Sequence, residues 1–297
     1  MKRIYLDNAA TTPTDPWVVR AMSPYLGKIF GNPGGLHKEG VAARAALSLA
    51  REKVARILEA RREEIIFTSG GTEGDNLAVL GVVAAARESG AKKPHIVTTA
   101  FEHSSVFETC KALELSGKAS VTYIYPDENG IIEASKIKAA LKPETALVSV
   151  MYANNEIGTI QPLREISRII KEHRASSGFP VFHTDAVQAA NYLDICPNHL
   201  GADLMTLAGS KIYGPKGSGV LYVRHGTPIA PIMRGGEQES GLRPGTEPVY
   251  LAAGFAEALQ IAADIREKEA ARLTKLRDYF ITGLLGLTPR VSLTGYT

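Results

Sequence analysis

Lys211 lies four residues after the apolar run Leu204–Leu207, within a glycine-rich turn, Gly209-Ser210-Lys211-Ile212-Tyr213-Gly214-Pro215-Lys216-Gly217-Ser218-Gly219. A lysine so placed offers an amine to a carbonyl cofactor. The plain alternative is a surface lysine ahead of a β-turn. Gly214-x-x-Gly217-x-Gly219 is not a dinucleotide fingerprint, because it precedes a strand instead of opening a helix. Nor does Gly217 begin a phosphate loop, since no Gly-Lys-Ser/Thr follows at the required spacing.

Other segments carry complementary chemistry. Phe67-Thr68-Ser69-Gly70-Gly71-Thr72-Glu73-Gly74-Asp75-Asn76 joins a strand to a helix through paired glycines and a threonine suited to capping. Such a helix start offers free N–H groups to an anion; the alternative is an ordinary capped helix. His183-Thr184-Asp185-Ala186-Val187-Gln188 puts a carboxylate directly after an apolar strand, 26 residues before Lys211. There it could keep a pyridinium nitrogen protonated, or simply cap the next helix. Glu102-His103-Ser104 follows another strand, and its imidazole could stack on a flat ring and move protons near neutral pH. The amides of Asn154-Asn155-Glu156-Ile157-Gly158 could bond a phenolic oxygen or a substrate carboxylate, or only shape a turn.

Positioning these groups requires regular elements. β-Branched and aromatic runs at 65–68, 96–99, 121–125, 147–151, 181–184, 204–207 and 219–223 predict seven strands. Between them, apolar spacings of three and four predict helices at 41–58, 72–89, 104–116, 134–141, 163–176 and 249–285. Alternation of this kind implies an α/β fold with a mainly parallel sheet covered on both faces and ligands gathered at the strands' carboxyl ends. Residues 1–15 read as an extended N-terminal arm, 16–260 as the large domain, and 261–297 as the start of a small domain. The segment Val291–Thr297 reads as a strand with little after it to pair with.

The combined pattern resembles the cysteine desulfurase family, within the fold-type I pyridoxal-phosphate enzymes and their class V aminotransferase branch. The resemblance runs from Tyr5-Leu6-Asp7-Asn8-Ala9-Ala10-Thr11-Thr12-Pro13, through Gly31-Asn32-Pro33 and His37, to Arg243-Pro244-Gly245-Thr246-Glu247-Pro248-Val249. It implies that Lys211 carries pyridoxal 5'-phosphate covalently, that Asp185 pairs with the ring nitrogen, and that His103 stacks on the ring. Gln188 would bond the phenolic oxygen, and Asn155 both ring and substrate carboxylate. Gly71, Thr72 and Ser210 would hold the phosphate. Thr246 would reach the phosphate of a partner subunit, making a homodimer the working unit.

The resemblance further implies removal of sulfur from L-cysteine, leaving alanine and an enzyme persulfide for iron–sulfur or thio-cofactor assembly through a sulfur-acceptor or scaffold protein. Lys211 would move the substrate's α-proton, His103 would act as acid/base near its thiol, and a cysteine thiolate would take the sulfur. Relatives commonly show Ser-x-His-Lys where this chain reads Ala208-Gly209-Ser210-Lys211. The missing hydroxyl predicts cofactor binding weaker by about 1 kcal/mol. The sulfur-accepting cysteine and a carboxylate-clamping arginine are expected beyond Thr297, so the small domain reads as incomplete and the chain as unable to turn over. Selenocysteine lyase or another class V lyase or aminotransferase is the alternative activity; a catalytically idle cofactor-binding scaffold is the alternative class.

Bulk properties bound these readings. With 297 residues, 44% hydrophobic and 22% charged, the chain is long enough for a sizeable core. A net charge of +3 without a basic block argues against nucleic-acid binding. The longest apolar run, Leu77–Ala86, falls short of the roughly 20 residues that span a membrane. Two distant cysteines, Cys110 and Cys196, suggest neither a disulfide framework nor a metal site, and a reducing, cytoplasmic setting is expected.

Overall fold

The computed structural model of the chain describes residues 3–174, 178–287 and 290–296. All seven predicted strands form: β1 (Ile65–Thr68), β2 (His95–Thr99), β3 (Ser120–Ile124), β4 (Thr145–Ser149), β5 (Val181–Asp185), β6 (Leu204–Ala208) and β7 (Gly219–Val223). They make one sheet in the order β1-β7-β6-β5-β4-β2-β3. Neighbours pair in parallel except β7, which runs antiparallel to both β1 and β6. Six strands therefore point the same way, and their carboxyl ends share one edge.

The period of two along each strand decides which layer each side chain enters. Val97, Val148, Phe182, Met205, Val220 and Tyr222 face one apolar cluster. Their neighbours Ile96, Leu147, Val181, Leu204 and Leu221 face the other. The first cluster is completed by α2 (Lys38–Ile57), α6 (Leu163–His173) and α8 (Val249–Leu287), the second by α3 (Gly71–Glu88) and α4 (Ser104–Leu115). With both faces covered, each fully buried Leu, Ile or Phe contributes on the order of 2 kcal/mol. Among the described residues, no helix is long and apolar enough to cross a membrane.

Helix ends follow their caps. Because the His37 ring accepts from the Gly40 amide, α2 begins three residues ahead of the expected start. Pro16–Met22 (α1) and Pro197–Leu200 (α7) escape the periodicity because each is short and opens on proline. The predicted helix at 134–141 is α5 (Ala134–Ala140). The one predicted at 163–176 ends at His173, and Ser176 lies outside the described residues.

One expectation changes. Val291–Tyr296 form no strand; Gly295, at φ 109°, instead lies so close to Ile157 that an added Cβ would sit 2.7 Å from its carbonyl oxygen. Thr297 lies outside the described residues. The left-handed φ at Gly295 turns the chain here instead of extending it. Helix α8 runs unbroken across the expected boundary at 260/261. Its buried positions end at Ala262, and Leu276, Tyr279 and Phe280 beyond are exposed.

One ion pair fastens the covering layer to the sheet. Arg51 of α2 donates to both carboxylate oxygens of buried Glu239, at 2.7 and 2.6 Å, and also to the Ile65 carbonyl. Glu239 in turn accepts the Phe67 amide at 2.9 Å. Since truncation would strand a buried carboxylate, Arg51→Ala is expected to cost about 3 kcal/mol, read as a lower denaturant midpoint at unchanged m-value.

Candidate active site

At the shared carboxyl edge, five strand ends and the N-terminal arm enclose a cavity of about 400 Å³. Gly71, Thr72, His103, Asn155, Asp185, Gln188, Ser210 and Lys211 all line it, together with Asp7, Asp75, Met151 and Ala208. Thr246 does not: it is exposed and outside the cavity. Its segment is nonetheless tied to the cavity's rim, because Arg243 pairs with Glu73 at 3.0 Å and Glu73 accepts the Ser69 amide at 2.8 Å.

The rim at α3 is shaped by glycine. Gly70, not Thr72, is the N-cap, with φ 150° and ψ −175°, a conformation open essentially to glycine alone. Gly219 must also lack a side chain, because a Cβ there would meet the Gly70 backbone at 2.7 Å. No side chain caps α3, so the amides of its first turn remain available to an anion.

Adjacent asparagines divide their tasks. Asn154 is buried, donates to the Phe101 carbonyl at 3.1 Å and accepts the amides of Glu156 and Ile157. Asn155 faces the cavity and bonds Glu156 at 2.9 Å. The arm closes the opposite side. Thr12 bonds the Ser210 carbonyl through its amide at 2.9 Å and its hydroxyl at 3.0 Å, while its hydroxyl accepts the Tyr213 amide at 2.8 Å. Lys211 donates to the carbonyls of Ala9, at 2.8 Å, and Ala10, and Gln188 donates to that of Ala9 at 3.0 Å. Partial burial holds the Lys211 ammonium below its usual range, although Asp185 and Asp7 pull it back up.

Three buried carboxyl groups underlie the cavity. Asp185 accepts the Val187 amide at 2.9 Å; burial raises its pKa, opposed by that hydrogen bond and by His103 and Lys211. Asp75 is pushed well above the carboxylate range by burial and then by Asp185. Glu102 accepts the Thr99 hydroxyl at 2.7 Å and the Met151 amide at 2.9 Å, and burial lifts it to about 8. Sequence reading assigned no role to Asp75, although an acid four residues after Gly71 on an otherwise apolar helix face is an available signal. Cys110 and Cys196 are buried and outside the cavity, and burial pushes the Cys110 thiol far up. Cys196 does meet Glu59 and His199 at a separate surface cluster, a grouping unread in Cys196-x-x-His199.

The aminotransferase class V family model matches residues 4–296. A cysteine desulfurase IscS of Dictyoglomus turgidum is 46% identical over 282 residues, covering 95% of this chain and 69% of that protein. Another, of Methanosarcina thermophila, is 44% identical over 295 residues, covering 99% and 70%. Among solved structures, a NifS-like protein superposes with a TM-score of 0.91 at 37% identity, covering 96% of this chain and 76% of that one. SspA in complex with cysteine superposes with a TM-score of 0.81 at 39% identity, covering 87% and 72%. The chain belongs to the class V aminotransferase family, in its cysteine desulfurase branch.

Members of this family depend on pyridoxal phosphate, and the cavity's donor set fits that group. Uncapped first-turn amides of α3 suit a phosphate. At Gly71 a Cβ would come within 3.0 Å of Val187, so the cradle is built for bare backbone. A buried acid ends β5, and a lysine amine is at hand. Ala208 takes a buried place in the cavity wall.

Glu102 sets a pH dependence of stability. Its folded pKa lies above the unfolded value, so the protonated form favours folding, and stability falls as pH rises from about 4.5 through about 8. Asp75 and Asp185 act in the same direction. Glu102→Gln retains the acceptor and cannot ionise. Its unfolding free energy is expected to gain on wild type by on the order of 2 kcal/mol between pH 6 and pH 9 in denaturant titrations.

Proposed function

We propose that this protein is a pyridoxal-phosphate-dependent cysteine desulfurase acting on L-cysteine, working as a homodimer that feeds sulfur to an acceptor or scaffold protein for iron–sulfur or thio-cofactor assembly. A cytoplasmic setting goes with this reading. The observation that carries it is the convergence of eight residues, from five strand ends, on one cavity closed by the arm.

When bound, pyridoxal phosphate supplies an electron-withdrawing ring that acidifies the α-carbon of an amino acid. The chain's own residues do the rest. Lys211 anchors the cofactor and, once released, moves the α-proton; its partly buried amine loses its proton more readily than an exposed lysine would. Asp185 keeps a ring nitrogen protonated. Gly71, Thr72 and Ser210 hold the phosphate, Gln188 the phenolic oxygen, and Asn155 the ring and the substrate carboxylate. His103 would lie against the ring and handle a proton at the substrate's sulfur. Exposed Thr246, beside the rim through Arg243 and Glu73, is suited to the phosphate of the partner subunit.

Borohydride reduction of cofactor-loaded protein followed by peptide mapping is expected to place the pyridoxyl label on Lys211, with none in Lys211→Ala. A label on another lysine overturns the assignment. Asp185→Ala is expected to weaken cofactor binding and slow α-proton exchange by at least tenfold, measured by equilibrium dialysis and deuterium wash-in.

Binding and turnover are expected to separate in this 297-residue chain. Neither of its two cysteines lines the cavity, and sulfur transfer needs a thiolate positioned there. Incubation with L-cysteine and reductant should shift the cofactor's visible absorption without multiple turnovers to alanine. Turnover that disappears in Cys110→Ser or Cys196→Ser would overturn this. Parallel assays with L-selenocysteine and amino-group acceptors distinguish the related lyases and aminotransferases.

A further inference from the structure

The Asp75–Ser105–His103 chain fixes the position of one proton by elimination. The Ser105 backbone amide donates to His103 Nδ1 at 3.2 Å, and an amide can only donate, so Nδ1 presents a lone pair. Ser105 Oγ lies 2.7 Å from the same Nδ1, and there too the proton must come from serine. A hydroxyl has one proton, and this one is now spent. Yet Ser105 Oγ also lies 2.5 Å from Asp75 Oδ2, a contact that needs a proton of its own. Only Asp75 is left to supply it.

We propose that Asp75 is a neutral acid that donates to Ser105, and that Ser105 donates to His103 Nδ1, so that His103 is held as the tautomer that presents Nε2–H to the cavity as a hydrogen-bond donor. Asp75 and Ser105 are positioning residues for His103. The inference deepens the reading of His103 given above and rests on it for its catalytic meaning.

The surroundings of Asp75 agree. Its Oδ1 is buried without a hydrogen-bond partner, tolerable for the carbonyl oxygen of a neutral acid and costly for a carboxylate. From β5, Asp185 places a carboxylate oxygen within 4.8 Å of an Asp75 oxygen, and two buried carboxylates at that range favour holding one proton between them. Also from β5, His183 comes within 3.6 Å, but burial lowers it to about 3, so it is neutral and supplies no counter-charge. It is satisfied by Ser149 at 2.8 Å and by Thr206, from β6, at 3.0 Å. Glu102, ahead of α4, adds negative potential when ionised. With the proton on Asp75, Asp185 is free to ionise toward Lys211.

Infrared spectra of the full chain labelled with [4-13C]aspartate test the proton's position at pH 7.5. A protonated-carboxyl band that shifts with the label is expected in wild type and in Asp185→Asn, and is expected to vanish in Asp75→Asn. Its absence from wild type, or its loss in Asp185→Asn with survival in Asp75→Asn, overturns the proposal. Two-bond 1H–15N correlation spectra of wild-type protein labelled in histidine, with His103 assigned through His103→Gln, are expected to show Nε2 protonated and Nδ1 bare. A protonated Nδ1 overturns it without recourse to any Asp75 variant. These spectra are taken without substrate, so a pyridoxyl label found away from Lys211 would sink the functional reading while leaving this proton placement standing.

Discussion

Six of the seven strands run the same way, and hydrogen bonding between parallel neighbours holds their carboxyl ends along one edge. Everything chemical in this protein follows from that constraint. Gly71 after β1, His103 after β2, Asn155 after β4, Gln188 after β5 and Lys211 after β6 arrive at one cavity because the strands before them end together. Reversed β7 returns the chain from the lysine turn, and its first residue, Gly219, lets Gly70 approach.

A second coupling ties the arm to the lysine turn. Thr12 satisfies the Ser210 carbonyl twice, and the turn answers through the Tyr213 amide and Lys216, which donates to the Thr12 carbonyl. These bonds lie between residues some two hundred apart, and they close the cavity without a dedicated lid. The Lys211 amine meanwhile rests on arm carbonyls, polar acceptors that a substrate or cofactor group can replace.

Burial beneath the cavity turns three ordinary acids into a graded set. Glu102 uses one oxygen, Oε1, to pin the loop after β2 to the segment after β4. Asp185 has the charges of its neighbours in its favour, whereas at Asp75 burial and the neighbouring Asp185 carboxylate outweigh the hydroxyls of Ser105 and Thr206. The low dielectric that makes isolated charges costly thereby sorts the acids into a structural pin, an anion and a proton holder.

Strand and helix identities were legible because they are local. Runs such as Ile65–Thr68 and Gly219–Val223 are short apolar stretches buried along their whole length, and the structure returns them with the same bounds. Asp185, His103 and Lys211 stood out because a polar group shortly after an apolar strand is conspicuous in sequence. Short α1 and α7 left no periodicity to read, and the alternation from Val291 to Thr294 pointed to a strand that the left-handed Gly295 turns aside.

Tertiary structure alone decided the rest. Whether Asn154 or Asn155 faces the cavity depends on the Phe101 carbonyl, and the α3 cap falls to Gly70 because Gly219 packs against it. Asp75 meets Ser105 across two helices, and its protonation follows from which groups can donate there and which can only accept. Composition and spacing show which side chains a segment's own period turns inward; they carry no record of the partners brought from distant segments, and those partners set charge, tautomer and orientation.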